Sequence, residues 1–193
     1  MTHFIQTLIS GLSLGSIYAL IALGYTMVYG IAKMLNFAHG DIIMIGAYAG
    51  IIAVAQMGLP PLIAVLLSIL ICALLGVLIE FLAYKPLRQA GPLAVLITAI
   101  GVSYFLQNAA QLLWGATPKN FTSLVTFPVP EFLAKFNVSA VSLVTIVACL
   151  VIMAGLMFFT GKTKMGKAMR ACSEDKAAAQ LMGINVNSTI SMT

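Results

Sequence analysis

From Pro61 to Ile79 the chain reads PLIAVLLSILICALLGVLI, a run without a single charge. A helix needs about 20 mostly apolar residues to cross the hydrocarbon of a bilayer. This run meets that demand, and the composition agrees: 61% of the 193 residues are hydrophobic and only 8% are charged. A soluble domain carries about 25% charged residues, and one of this size has too little interior to hide so much apolar side chain. The chain is therefore expected to be all-α, a polytopic transmembrane helical bundle.

Five segments qualify as spans: about Phe4 to Tyr29, Asp41 to Gln56, Pro61 to Tyr84, Pro92 to Trp114 and Ala140 to Thr160. Proline opens the third and fourth, where its missing N–H costs nothing. Pro86 follows the third and is expected to stop it. Lys33 lies between spans one and two, and Lys85 and Arg88 lie between three and four. Lys162, Lys164, Lys167, Arg170 and Lys176 follow span five. Alternating five spans puts all of these on one side and leaves Lys119 and Lys135 on the other. The positive-inside rule then predicts an external N-terminus and a cytoplasmic tail. Residues 1–160 read as the membrane bundle. Residues 161–193 read as a cytoplasmic segment followed by the start of a truncated sixth span. Tyr29, Tyr84 and Trp114 stand at span ends, as interfacial aromatics do. A broken or re-entrant helix near residues 30–41 is compatible with the same pattern. The net charge of +5 is thus a topology signal, and nucleic acid drops out as a partner. The N-terminal MTHFIQTLIS has no basic n-region, so a cleaved signal peptide is not expected.

Gly11 and Gly15 in span one, and Gly46 and Gly50 in span two, stand at the G-x-x-x-G interval that lets helix backbones approach closely. Cys72, Cys149 and Cys172 have no metal-type spacing and read as packing residues, without a disulfide. GLMFFTGKT, residues 155 to 163, mimics a P-loop. Five residues separate its glycines where four are required, and a membrane helix precedes it instead of a strand. His39 and Asp41 in NFAHGD lack further ligands for a metal, and Asp41 is expected as the N-cap of span two. His3 and His39 are the only histidines, and no catalytic set can be assembled. No enzyme activity and no bound cofactor are expected of this chain.

The fourth span, PLAVLITAIGVSYFLQNAAQLLW, is the most polar. Ser103, Gln107 and Gln111 recur every four residues on one face, with Asn108 beside it. Amides in hydrocarbon need partners, either in neighbouring helices or along a hydrophilic path for a small polar solute. The topology puts this face in the outer half of the membrane. Asp41 and Glu80 fall near cytoplasmic span ends, so no ionisable group is expected at mid-membrane. Ion-coupled carriers often keep a carboxylate there, so energy would have to come from elsewhere.

The segment GKAMRACSEDKAAAQLMGIN, residues 166 to 185, is charged and helix-forming. Ser173 is the expected N-cap, with Glu174 and Asp175 in a first turn that favours negative charge. Ala177, Ala178 and Ala179 favour helix, and Gly183 fits the C′ position, which bounds a helix over about 174–182. So short a helix is marginal alone in water. It needs a surface: the bilayer, the membrane bundle itself, or a groove on a cytoplasmic partner with Leu181 and Met182 as anchors.

GLSLGSIYALIALGYTMVYGI (11–31), NFAHGD (36–41), YKPLR (84–88), AIGVSYFLQN (99–108) and MGKAMRACSEDKAAAQLMGIN (165–185) together resemble one family. It is the membrane subunit of ATP-binding cassette importers for branched-chain amino acids, the LivH type. The resemblance implies a multi-pass permease of the bacterial plasma membrane, paired with a second permease subunit and two cytoplasmic ATPase subunits that hold the ATP and magnesium. An external binding protein would deliver leucine, isoleucine or valine. By the same resemblance, residues 166–185 would couple the ATPases to the spans. Arg170, Ser173, Glu174, Asp175, Ala177, Ala178, Leu181, Met182 and Gly183 would then form the docking surface. Asn36, His39, Ser103, Gln107, Asn108 and Gln111 become candidates for the substrate path. Related permeases carry urea or short amides, and a passive facilitator is a further alternative. Three departures stand out: the chain stops at Thr193 where a further span is expected, Phe81 stands where arginine is usual, and Ala177 replaces the glutamate of the importer pattern E-A-A-x-x-x-G.

Overall fold

The computed structural model describes residues 2–88, 90–119 and 139–193, and every regular element among them is helical. Lys135 lies outside them. The elements are α1 (Thr2–Ala32), α2 (His39–Ala55), α3 (Pro61–Ile79), α4 (Pro92–Trp114) and α5 (Ala140–Lys162), then the short α6 (Lys164–Glu174), α7 (Lys176–Leu181) and α8 (Val186–Ser191). Four stretches are long and apolar enough to cross a membrane: His3–Ala32, Pro61–Leu87, Pro92–Trp114 and Ala140–Lys162. The chain is a polytopic all-α membrane protein.

The expected second span differs. α2 has 17 residues, about 25 Å, which is short of the ~30 Å hydrocarbon core. The third span differs at its end. Pro86 does not stop it cleanly but changes its winding: a π-helical turn over Glu80–Tyr84 leads into a 3-10 turn over Lys85–Leu87. A proline inside a helix removes one N–H and pushes against the carbonyl a turn earlier. Widening the preceding turn relieves the clash.

The described residues form two compact units. In the first, spanning residues 33–119, α2 and α3 pack antiparallel. A Cβ on Gly46 would lie 2.5 Å from Cys72 Sγ, and one on Gly50 would lie 3.2 Å from Ser68 Oγ. Glycine is what lets these backbones come together where lipid supplies no hydrophobic drive between helices. α4 runs on the other side of α2, where Trp114 stacks on Tyr48 with ring centroids 4.6 Å apart. Ala38, Ile79, Tyr84, Val95, Ala99 and Leu106 form the core between them. Tyr84, expected at the interface, is instead buried in that core.

The second unit holds α1 and everything from residue 139 onward. α5 lies on α1, with the buried Cys149 thiol donating to the Ser16 carbonyl at 3.2 Å. No glycine contact of the kind at Gly46 exists at Gly11 or Gly15, where an added Cβ would meet nothing within 4 Å. Thr163 makes the elbow between α5 and α6. Its hydroxyl donates to Phe159 O at 2.6 Å, and its oxygen accepts from Gly166 N at 2.9 Å. Gly166 is required there, because a Cβ would collide with the Phe159 carbonyl and the Thr160 backbone. All three cysteines are free thiols.

Candidate functional site

The polar face of α4 meets a carboxylate. Ser103 Oγ donates to Asp41 Oδ2 at 2.5 Å, and Gln107 Nε2 donates to Asp41 Oδ1 at 3.1 Å and to Ser103 Oγ at 3.2 Å. Asp41 is therefore not the N-cap of α2. That position belongs to Ala38, which makes no side-chain cap, and Asp41 sits within the first helical turn. Its oxygens are spent across helices instead of on its own backbone.

Nor does Asp41 lie near a span end. Ser103 and Gln107 are roughly 16 and 22 Å along α4 from Pro92, on a helix of 23 residues, about 34 Å. On the other flank, Cys72 Sγ approaches the Ile42 carbonyl at 3.5 Å, and Cys72 is near the middle of the Pro61–Leu87 span. Two neighbours thus put the start of α2 level with the middle of both adjoining apolar helices. The residues that lead into α2, 33–38, are non-helical. Irregular backbone at such depth is tolerated only where protein or a wet cavity surrounds it. Here Ala38 is fully buried, Met34 packs on the core, and Tyr84 donates to Asn36 Oδ1 at 2.8 Å. The expected position of Asp41 at a span end is not what the register shows: its carboxylate is level with the middle of α4.

The remaining path candidates separate. His39 is the first residue of α2 and partly buried. Asn108 turns its amide back to the Tyr104 carbonyl of its own helix at 2.7 Å. Gln107, Asn108 and Gln111 are all exposed on α4. Glu80 pairs with Arg88, eight residues on, so Glu80 has an arginine partner although position 81 is Phe.

The segment over residues 164–181 is two helices, not one. Ser173 and Glu174 close α6, and Ser173 Oγ donates to the Arg170 carbonyl at 2.7 Å. Asp175 is the N-cap of α7, accepting from Ala177 N at 2.8 Å and Ala178 N at 3.1 Å. The break turns Ala179 into a core with Ile31, Met169 and Cys172. Gly183, at φ +83°, ends α7 as expected: its N–H reaches Gln180 O and Ile184 N reaches Ala179 O, the paired closure of a Schellman motif. Lys176 Nζ donates to the carbonyl of Ala32 at 2.7 Å. Arg170 Nη2 donates to Gly161 O at 3.2 Å. Ala177 and Ala178 are exposed, while Leu181 and Met182 remain 89% and 83% exposed. One side of this hairpin is fixed to α1, and its apolar tip is free.

A family model described as "Branched-chain amino acid transport system / permease component" matches residues 7–193. The chain belongs to this permease family. It is 41% identical, over 99% of its length, to the high-affinity branched-chain amino acid transport system permease protein BraD of Pseudomonas aeruginosa. It is 40% identical over the same share to the corresponding LivH protein of Escherichia coli. A probable branched-chain amino acid permease LivH of Methanocaldococcus jannaschii is 28% identical over 90% of the chain. The chain spans 66% of the length of the first two relatives and 56% of the third. No solved structure matches it.

What the sequence missed in this permease is the use of Asp41, Tyr84 and Lys176. Each partner lies far away in sequence, on α4, in the non-helical stretch before α2 or at the end of α1. The one available signal was a carboxylate beginning an apolar run directly after a stretch with no helical pattern.

Proposed function

We propose that this chain is a membrane-spanning subunit of an ATP-binding cassette importer that moves leucine, isoleucine or valine across a bacterial plasma membrane. The observation that carries this reading is the hairpin of α6 and α7. Its buried side is fused to the end of α1, while Leu181 and Met182 stand out as an apolar tip. A tip fixed to a membrane helix transmits force, as a loose tail does not. Two cytoplasmic ATPase subunits, holding ATP and magnesium, would receive it, beside a second permease subunit and an external binding protein. With the basic ends of the spans inside, the N-terminus is external and the hairpin cytoplasmic. The chain itself catalyses no reaction and binds no cofactor.

The test reconstitutes the transporter with its partner subunits and binding protein in lipid discs. Leucine-loaded binding protein is expected to stimulate ATP hydrolysis, and replacing both Leu181 and Met182 by aspartate is expected to abolish the stimulation. Unaltered stimulation in a folded double variant would remove the docking role. The exposed amides of Gln107, Asn108 and Gln111 favour one second reading, a permease for urea or short amides. Competition of urea with leucine for uptake separates the two.

A further inference from the structure

The donor pattern around Asp41 determines more than its own position. A carboxylate only accepts hydrogen bonds, and here both oxygens take neutral donors, Ser103 Oγ and Gln107 Nε2. Nε2 also serves Ser103. The two ends of a glutamine amide are ordinarily interchangeable. Beside a carboxylate they are not, because Oε1 turned toward Asp41 would be repelled. With Nε2 committed inward, the end of Gln107 left for its exposed side is the acceptor, Oε1. Behind it stands a carboxylate that is only 8% exposed, in a region of low dielectric where one charge acts strongly.

We infer that Gln107 Oε1, oriented and backed by Asp41, accepts the α-ammonium of a zwitterionic amino acid at mid-membrane. The inference rests on the importer reading above. An ammonium supplies three donors and no acceptor, so it is matched by an outward carbonyl oxygen with a negative charge behind it. The aliphatic side chain needs no polar partner. The same arrangement would also suit an alkali cation or a proton, and the test keeps these apart.

Leucine uptake is measured in proteoliposomes holding the complete transporter, its binding protein and ATP, for wild type, D41N, D41E and Q107M. Asparagine is isosteric with aspartate: it can accept from Gln107 and donate to Ser103, but it carries no charge. Glutamate keeps the charge and lengthens the side chain by one methylene. If the carboxylate acts on the ammonium, D41N lowers uptake by about tenfold or more, the scale of one charge-assisted hydrogen bond, and D41E retains more than D41N. A strut between α2 and α4 would give the reverse order, because a buried site tolerates the isostere better than the longer side chain. That reverse order overturns the inference. Should D41N fail to fold, Q107M decides. Methionine keeps the length and volume of Gln107 without its amide, and uptake at the wild-type rate in Q107M also overturns the inference. Leucine uptake driven without ATP by an imposed sodium or proton gradient would assign the carboxylate to a coupling cation and overturn it too. A wild-type transporter that moves no branched-chain amino acid would defeat the importer reading itself, an outcome distinct from normal uptake in D41N and Q107M.

Discussion

Lys176 donates its ammonium to the carbonyl of Ala32, the last residue of α1, across a sequence separation of 144 residues. α1 has no basic residue of its own in its last turn. Its C-terminal carbonyls carry the negative end of the helix dipole and lack partners within the helix. The chain also turns sharply there, with Lys33 at φ 57°. The first residue of α7 thus completes the end of α1. The hairpin of α6 and α7 is joined to α1 by a charge-assisted bond in addition to the core around Met169 and Cys172.

Replacing Lys176 by methionine keeps the aliphatic stem and removes the ammonium. We expect a loss of about 1–2 kcal/mol in local stability. Amide exchange followed by mass spectrometry should then quicken in α7 and at the end of α1 while α3 is unchanged. Arginine at the same position should restore most of the protection. Unchanged exchange in the methionine variant would show that the apolar core alone holds the joint.

Asp175→Ala removes the side-chain acceptor for two N–H groups at the start of a six-residue helix. An N-cap of this kind contributes about 1 kcal/mol, and a helix this short has no cooperative reserve. The expected outcome is fraying at Ala177 and Ala178, visible as faster amide exchange, together with weaker stimulation of the partner ATPases. Asparagine should retain most of both.

Gly46→Ala puts a methyl group against the Cys72 sulfur. Overpacking of this kind costs about 1–3 kcal/mol. Thermal unfolding in detergent should report the loss, and adding Cys72→Ala should recover a large part of it. The two changes share one contact, so their effects should be clearly non-additive. The same alanine at Gly11, where nothing lies within 4 Å, serves as the control and should be close to neutral.

Tyr84→Phe removes the hydroxyl that donates to Asn36 and leaves the ring in the core. The loss should be about 1 kcal/mol, typical of a hydrogen bond between membrane segments. Because Asn36 belongs to the non-helical stretch before α2, exchange should rise at residues 33–38 before it rises in α3. Equal protection there would mean that packing of Met34 and Ala38 suffices.

Some of this architecture was written locally. α4 begins at Pro92 and ends at Trp114 as expected, because proline sits at N1 and Gly115, at φ +83°, closes the other end. The face shared by Ser103 and Gln107 followed from their spacing of four. Gly183 ended its helix for the same kind of reason, a conformation that favours glycine. The break at Asp175 was not legible. Ser173 and Asp175 are both good caps, and only burial of Ala179 against Ile31 and Met169 decides between them.

The sequence by itself determined the class of the protein, the extent of its long spans and which residues share a helix face. These depend on hydrophobic length and on the 3.6-residue period, which act between near neighbours. The tertiary structure alone decided depth and partnership. Helices slide along one another until their side chains fit, so the Gly46–Cys72 contact sets where α2 begins. That level, and nothing in the residues around Asp41, puts its carboxylate beside Ser103 and Gln107 at the middle of α4.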